Sequence, residues 1–151
     1  MINMELQKQL SKIQRELKAP KSQRNTFGKY NYRNTEDIVE AVKPFLGENL
    51  ILNLSDEMME LVGRIYVKAT AIITDGKDVI GATGFAREAL TKKGMDEAQI
   101  TGAASSYARK YALNGLLLID DTKDADSTNN GEAASPKNVD DDGFIKNSFN
   151  L

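Results

Sequence analysis

Leu6, Leu10, Ile13 and Leu17 recur at three- and four-residue spacing with Lys8, Lys12, Arg15 and Glu16 between them, the stripe of an amphipathic helix. The spacing predicts a helix over about 4–18 that ends before Pro20, where a backbone donor is lost. Such a stripe suits packing on the chain's own core or a seam between subunits. A second helix is predicted from Thr35, with Glu36 and Asp37 in its first turn and Ile38, Val39, Val42, Phe45 and Leu46 turned inward. Carboxylates there complement the helix dipole. Pro44 is expected to kink or end this helix, and Gly47 to close it.

From Leu50 the period changes to two. Between Arg64 and Thr74, the residues Ile65, Val67, Ala69, Ala71 and Ile73 alternate with Arg64, Tyr66, Lys68 and Thr70, so one face of a strand is core and the other polar. Asp75-Gly76 is a hairpin signal, and the next strand, about Val79 to Arg87, is expected to return antiparallel. An earlier strand over about Leu50 to Leu54 completes a three-stranded meander, with Asp56 to Glu60 as a connection. Asp96 with Gln99 three residues on forms a capping-box pair that opens a long helix, expected to stop at Asn114-Gly115. That helix is rich in small residues around Gly102 to Ser106. Small side chains permit close approach to a sheet or a neighbouring helix, which would offset the cost of an interior glycine.

Composition narrows the chemistry. The 151 residues contain no Cys and no His, which removes disulfides, thiol nucleophiles, the commonest metal ligand and the commonest general base. No apolar run approaches the ~18 residues of a membrane span, and the charged N-terminus is unlike a secretory signal. A soluble, cytoplasmic protein without a membrane partner, a cofactor or a bound metal is expected. The net charge of −2 hides an asymmetry: residues 1–119 hold 17 Lys and Arg against 14 Asp and Glu, while residues 120–151 hold 3 against 8. A basic body with an acidic tail points to a nucleic-acid or membrane partner for the first, without choosing between them, and a recruiting or regulatory role for the second. The tail is too polar to build a core, so the expected division is one domain over 1–122 and a disordered acidic tail over 123–151.

The segment 18–35 concentrates the basic residues. Lys18, Lys21, Arg24, Lys29 and Arg33 stand there with Phe27, Tyr30 and Tyr32, and no acidic residue interrupts them. A segment of this composition is unusual.

Thr101-Gly-Ala-Ala-Ser-Ser-Tyr107-Ala-Arg109-Lys110-Tyr111-Ala-Leu113, followed by an apolar run and Asp120-Asp121, resembles the signature of the ERF (essential recombination function) family of phage single-strand annealing proteins. Phe27-Gly-Lys-Tyr30-Asn-Tyr32-Arg is similar to that family's N-terminal block. Ser106 stands where the family often has Thr, and it keeps the hydroxyl. The resemblance spans roughly residues 5–126. It implies an α+β, β-β-β-α annealing-protein fold with N-terminal helices and subunits assembled into rings or filaments. It further implies a non-enzymatic protein that holds single-stranded DNA in a basic groove during phage recombination, inside the bacterial host cell.

On that reading the candidate DNA contacts are Lys29, Tyr30, Tyr32 and Arg33 in the basic segment, Arg64 and Lys68 on the polar strand face, Arg109 and Lys110 on the long helix, and Lys92 and Lys93 in the loop before it, placed for a second strand. The tail is a candidate recruiter of a single-strand-binding protein or an exonuclease. Two other functions are open: a passive single-stranded DNA binder, and a magnesium-dependent nuclease using Asp120, Asp121, Asp124 and Asp126. An EF-hand fails, since counting from Asp124 puts Asn129 where Gly is required and Ser135 where Glu is required.

Overall fold

The amphipathic stripe at the N-terminus folds as α1, Glu5–Glu16, and buries Leu6, Leu10 and Ile13. The structure is a computed structural model that describes residues 4–119. The stripe packs in the same core as the later helices and the sheet, so it serves its own chain rather than a seam.

The basic segment, read above without strands, forms a small antiparallel hairpin of β1 (Gln23–Asn25) and β2 (Tyr30–Tyr32). Strands of three residues carry no legible alternation. Side chains on the next element hold the hairpin instead: Ser22 Oγ and Gln23 Nε2 both donate to Asp37 Oδ1, at 3.1 and 3.2 Å. Helix α2, Thr35–Leu46, is capped by Asn34, whose side chain accepts from the Asp37 N–H while Asp37 accepts from the Asn34 N–H. Pro44 does not break it. Pro44 sits in the last turn, where the helix continues two residues further before Gly47 closes it at φ +56.

A meander of β3 (Ile51–Leu61), β4 (Arg64–Thr74) and β5 (Val79–Arg87) follows, in the order β3-β4-β5 and antiparallel throughout. β4 buries Val67, Ala69, Ala71 and Ile73, the alternate positions of its sequence. β3 is longer than its sequence indicates. Asp56 to Glu60, expected as a connection, stay paired with β4 in unbroken register up to Leu61 opposite Arg64. A two-residue turn, Val62-Gly63, joins these strands with both φ angles positive, the mirror-image turn that matches strand twist.

Helix α3, Glu97–Leu117, opens with the Asp96–Gln99 capping box and lies across β4 and β5. It runs past Asn114-Gly115 because Leu116 and Leu117 are both buried, and it ends on Leu118 in the left-handed conformation. The seam with β5 is very close. A Cβ on Gly84 would fall 2.5 Å from both the Ala108 carbonyl oxygen and the Ala112 nitrogen. The helices thus cover one face of the sheet. The other face presents Lys68, Thr70, Thr83, Phe85 and Arg87, placed there by the strand register. The tail over 123–151 and the carboxylates Asp120, Asp121, Asp124 and Asp126 lie outside the described residues.

Candidate nucleic-acid interface

The β1–β2 hairpin turns through Thr26-Phe27-Gly28-Lys29, and three side-chain arrangements fix its outer end. The Gly28 N–H donates to Asn25 Oδ1 at 2.8 Å, and Asn25 Nδ2 donates to the Tyr30 hydroxyl at 3.0 Å. The Tyr30 ring folds over Gly28 so closely that a Cβ there would meet a ring carbon at 2.4 Å. Tyr30 and Tyr32 lie with ring centroids 6.1 Å apart and planes inclined at 60°, a tilted aromatic pair. Phe27 at the tip is 99% exposed. Lys29 has φ +56, a conformation unfavourable for a residue with a side chain and held only where the surroundings impose it.

Two hydrogen bonds plant this hairpin on the body. Arg33 is only 8% exposed, and its Nε donates to the Ala19 carbonyl at 2.7 Å. The Thr35 hydroxyl donates to the Ser106 carbonyl of α3 at 2.8 Å. The start of α2, three residues after the hairpin, therefore sits one hydrogen bond from the middle of α3. Of the four residues proposed from this segment, Lys29, Tyr30 and Tyr32 are on the hairpin, whereas Arg33 is drawn inward as its tether.

On α3, Tyr107 and Tyr111 are 57% and 48% exposed, with ring centroids 6.3 Å apart. They form a surface pair rather than core. Lys110 is half-buried on the same helix. Arg109 has a different surrounding from its neighbour: its Nε donates to both oxygens of Asp56 on β3, at 3.0 and 3.2 Å. Ser105 Oγ donates to the same carboxylate at 2.6 Å. Burial works to raise the Asp56 pKa, but the hydrogen bonds from Arg109 and Ser105 and the Arg109 charge hold it below the usual carboxylate value. This cluster clasps α3 to the edge strand. Asp56 gives no sign in the sequence, because nothing local distinguishes it from the other acids of that segment.

Arg64 and Lys68 stand on β4, on the sheet face away from α3. Arg64 donates through Nη2 to the Glu88 carbonyl at 3.2 Å, while its Nε is buried with no hydrogen-bond partner. Lys68 Nζ lies 3.3 Å from Glu57 Oε2. Lys92 lines a cavity of about 420 Å³ between β5, α3 and the loop joining them, and Lys93 is exposed beside it. The structure thus brings Lys29, Tyr30 and Tyr32 together on the hairpin, which Asp37 ties to α2, while Thr35 ties α2 to α3, the helix that carries Lys110. It leaves Arg64 and Lys68 on the opposite sheet face.

Among the described residues no group of three or more His, Cys, Asp or Glu is arranged to hold a metal ion. No described helix is long and apolar enough to cross a membrane. Fold and surface together define a small α+β domain that presents preset aromatic pairs among cations. A family model described as ERF superfamily matches residues 6–142, and the chain belongs to that superfamily. The essential recombination function protein of Salmonella phage P22 is 57% identical over 126 residues. That alignment covers 83% of this chain and 61% of the relative, so the chain spans about three-fifths of the relative's length. No solved structure matches the chain.

Proposed function

We propose that this protein binds single-stranded DNA and pairs it with a complementary strand in recombination, without catalysis and as a self-assembling ring or filament of the annealing-protein kind. The observation that carries this reading is the hairpin with its flanks: five cations and no carboxylate between Leu17 and Thr35, Lys29 at the hairpin's outer end, and rings held in place before any ligand arrives. Its relative's name, essential recombination function protein, agrees with a DNA partner. Annealing needs phosphates neutralised while bases stay open to a second strand, which cations beside sequence-tolerant stacking rings provide. Lys29 and Lys110 are the leading phosphate contacts, with Tyr30 and Tyr32 as the stacking surface. Lys93 extends the basic field, Lys68 is set apart on the far sheet face with Glu57, and Arg64, Arg33 and Arg109 are engaged by partners within the chain.

The test mixes the protein with two complementary oligonucleotides, one of them labelled. Accelerated duplex formation is expected. Protection without pairing would mark a passive binder, and magnesium-dependent fragments would mark a nuclease. Lys29→Gly with Lys110→Ala removes two contacts while relieving the positive φ at residue 29. Affinity should fall for every sequence, and the slope of log K against log salt should become shallower by about 1.4, at ~0.7 per phosphate. An unaltered slope in a folded variant refutes the assignment of these two lysines.

A further inference from the structure

The turn between β3 and β4 carries two costs that nothing among the described residues offsets. Val62 has φ +51, where a β-branched side chain is a true outlier and Asn or Gly is the ordinary choice. Its side chain is also fully exposed, with Leu61 and Met58 about half exposed beside it. The charged neighbours on this end of β3 are Glu57 and Glu60, of which Glu57 faces Lys68. Arg64, opposite Leu61, is turned to the Glu88 carbonyl, so the feature is an apolar knob at the end of the β3–β4 hairpin with Glu60 as the acid beside it that has no ion pair among the described residues.

The cavity beside α3 has the complementary character. Phe85, Met95, Ile100, Tyr107 and Tyr111 line it, and the only charged residues among its lining are Arg87 and Lys92. At about 420 Å³ it lies within the size range of sites that enclose small ligands, enough for the side chains of a two-residue turn. The chain's own knob is not among the lining residues.

We propose that the Leu61-Val62 knob of one copy seats in this cavity of the next, with Glu60 against Lys92. The inference deepens the assembly part of the reading above and rests on it. Burial in a neighbour removes the hydration cost of Val62 and offsets its backbone strain, which isolation leaves unexplained. Because knob and socket are different surfaces, the contact is heterologous. Repeated from copy to copy it generates a ring or an open filament, not a closed two-fold dimer. The other candidate seam, the α1 stripe, is already in the core. Tyr107, Tyr111 and Lys92 then face a neighbouring protein, and DNA is left to the hairpin. A base from single-stranded DNA would also stack on these tyrosines, but that occupant accounts for neither Val62 nor Glu60.

The full 151-residue chain lacks cysteine, so introduced thiols report one contact. Val62→Cys protein mixed with Ala103→Cys or Met95→Cys protein should give disulfide-linked dimers under mild oxidation, and no single variant should do so alone. Val62→Asn should raise the melting temperature of dilute protein yet weaken self-association about ten- to a hundredfold in sedimentation, the effect of losing one buried apolar side chain. Glu60→Lys and Lys92→Glu should each weaken assembly, and the two together in one chain should restore it. Absence of both mixed disulfides, with Val62→Asn assembling normally, overturns the knob and socket while leaving a ring with some other seam. Wild-type protein that stays monomeric at high concentration with and without DNA overturns the assembly reading as well. Loss of DNA affinity in Lys92→Glu and Ala103→Trp with assembly unchanged would also refute the proposal, and would assign the cavity to a base.

Discussion

Substituting Gly84 by Ala tests the seating of α3, on which the positions of Lys110 and both helix tyrosines depend. The added Cβ would lie 2.5 Å from the Ala108 carbonyl oxygen, 2.5 Å from the Ala112 nitrogen and 2.8 Å from the Tyr111 Cβ. The first two are backbone atoms, so no rotamer change relieves the contact and the helix has to lift by about 1 Å to reach van der Waals distance. Overpacking of this kind costs roughly 1–3 kcal/mol. The lower unfolded-state entropy of Ala returns about 0.4–1 kcal/mol. The net loss is roughly 1–2 kcal/mol, a fall in melting temperature of about 5–10 °C for a domain of this size. Gly102, on the same helix, is the control: nothing lies within 4 Å of its Cβ position. Gly102→Ala should gain about 0.8–1 kcal/mol from helix propensity alone, a rise of a few degrees. Thermal melts followed by circular dichroism on dilute protein read both. A Gly84→Ala variant as stable as the parent would refute the close seam, whatever Gly102→Ala does.

Two further outcomes follow from the clasp and the tether. Asp56 and Asp37 both titrate below the ordinary value of 3.8: Asp37 through the Asn34 N–H and then Gln23, Ser22 and Arg33, Asp56 through Arg109 and Ser105 against its burial. Depressed carboxyl values add stability that is complete above about pH 5 and is lost as the pH falls through 3.8 toward the folded-state values. Asp56→Asn should flatten part of that acid limb in denaturant titrations and cost roughly 0.5–1 kcal/mol at pH 7, a small figure because Arg109 is 38% exposed and screened by solvent; a limb of unchanged depth would remove Asp56 from the account. Arg33→Lys should lower stability through loss of the Ala19 contact without altering the salt slope of DNA binding, and a shallower slope in the folded variant would return Arg33 to the interface.

The sequence made the meander and the long helix legible wherever a local rule sufficed. The alternation of Val67 to Ile73, the Asp75-Gly76 turn and the Asp96–Gln99 cap all stand as read. Elements decided by distant partners were not legible. β3 continues through Asp56 to Glu60 because β4 pairs with it residue by residue, although charges on both of its faces erase the pattern. α3 continues through Asn114-Gly115 because Leu116 and Leu117 find burial beyond the usual stop signal. The β1–β2 hairpin depends on Asp37, fourteen residues after Gln23, and two three-residue strands cannot announce themselves.

The same distinction governs the site, and it separates arginine from lysine. Each Arg in the candidate set has an internal partner: Arg33 the Ala19 carbonyl, Arg64 the Glu88 carbonyl, Arg109 the Asp56 carboxylate. Of the lysines, Lys68 has an ion pair, with Glu57, while Lys29, Lys92, Lys93 and Lys110 make none among the described residues. The chemistry of the two side chains accounts for the split. A guanidinium is weakly hydrated and presents a rigid fork of donors, so it gives up less entropy in tying one backbone or carboxylate to another, whereas an ammonium is strongly hydrated and stays at the surface. Composition counts both as positive charge and so places Arg33 and Arg109 among phosphate ligands. Only the long-range contacts show that they are already engaged. Binding driven by release of counterions acts on charges that face solvent, so the field available to a DNA strand is mostly a lysine field, densest where Lys29 stands at the end of its hairpin.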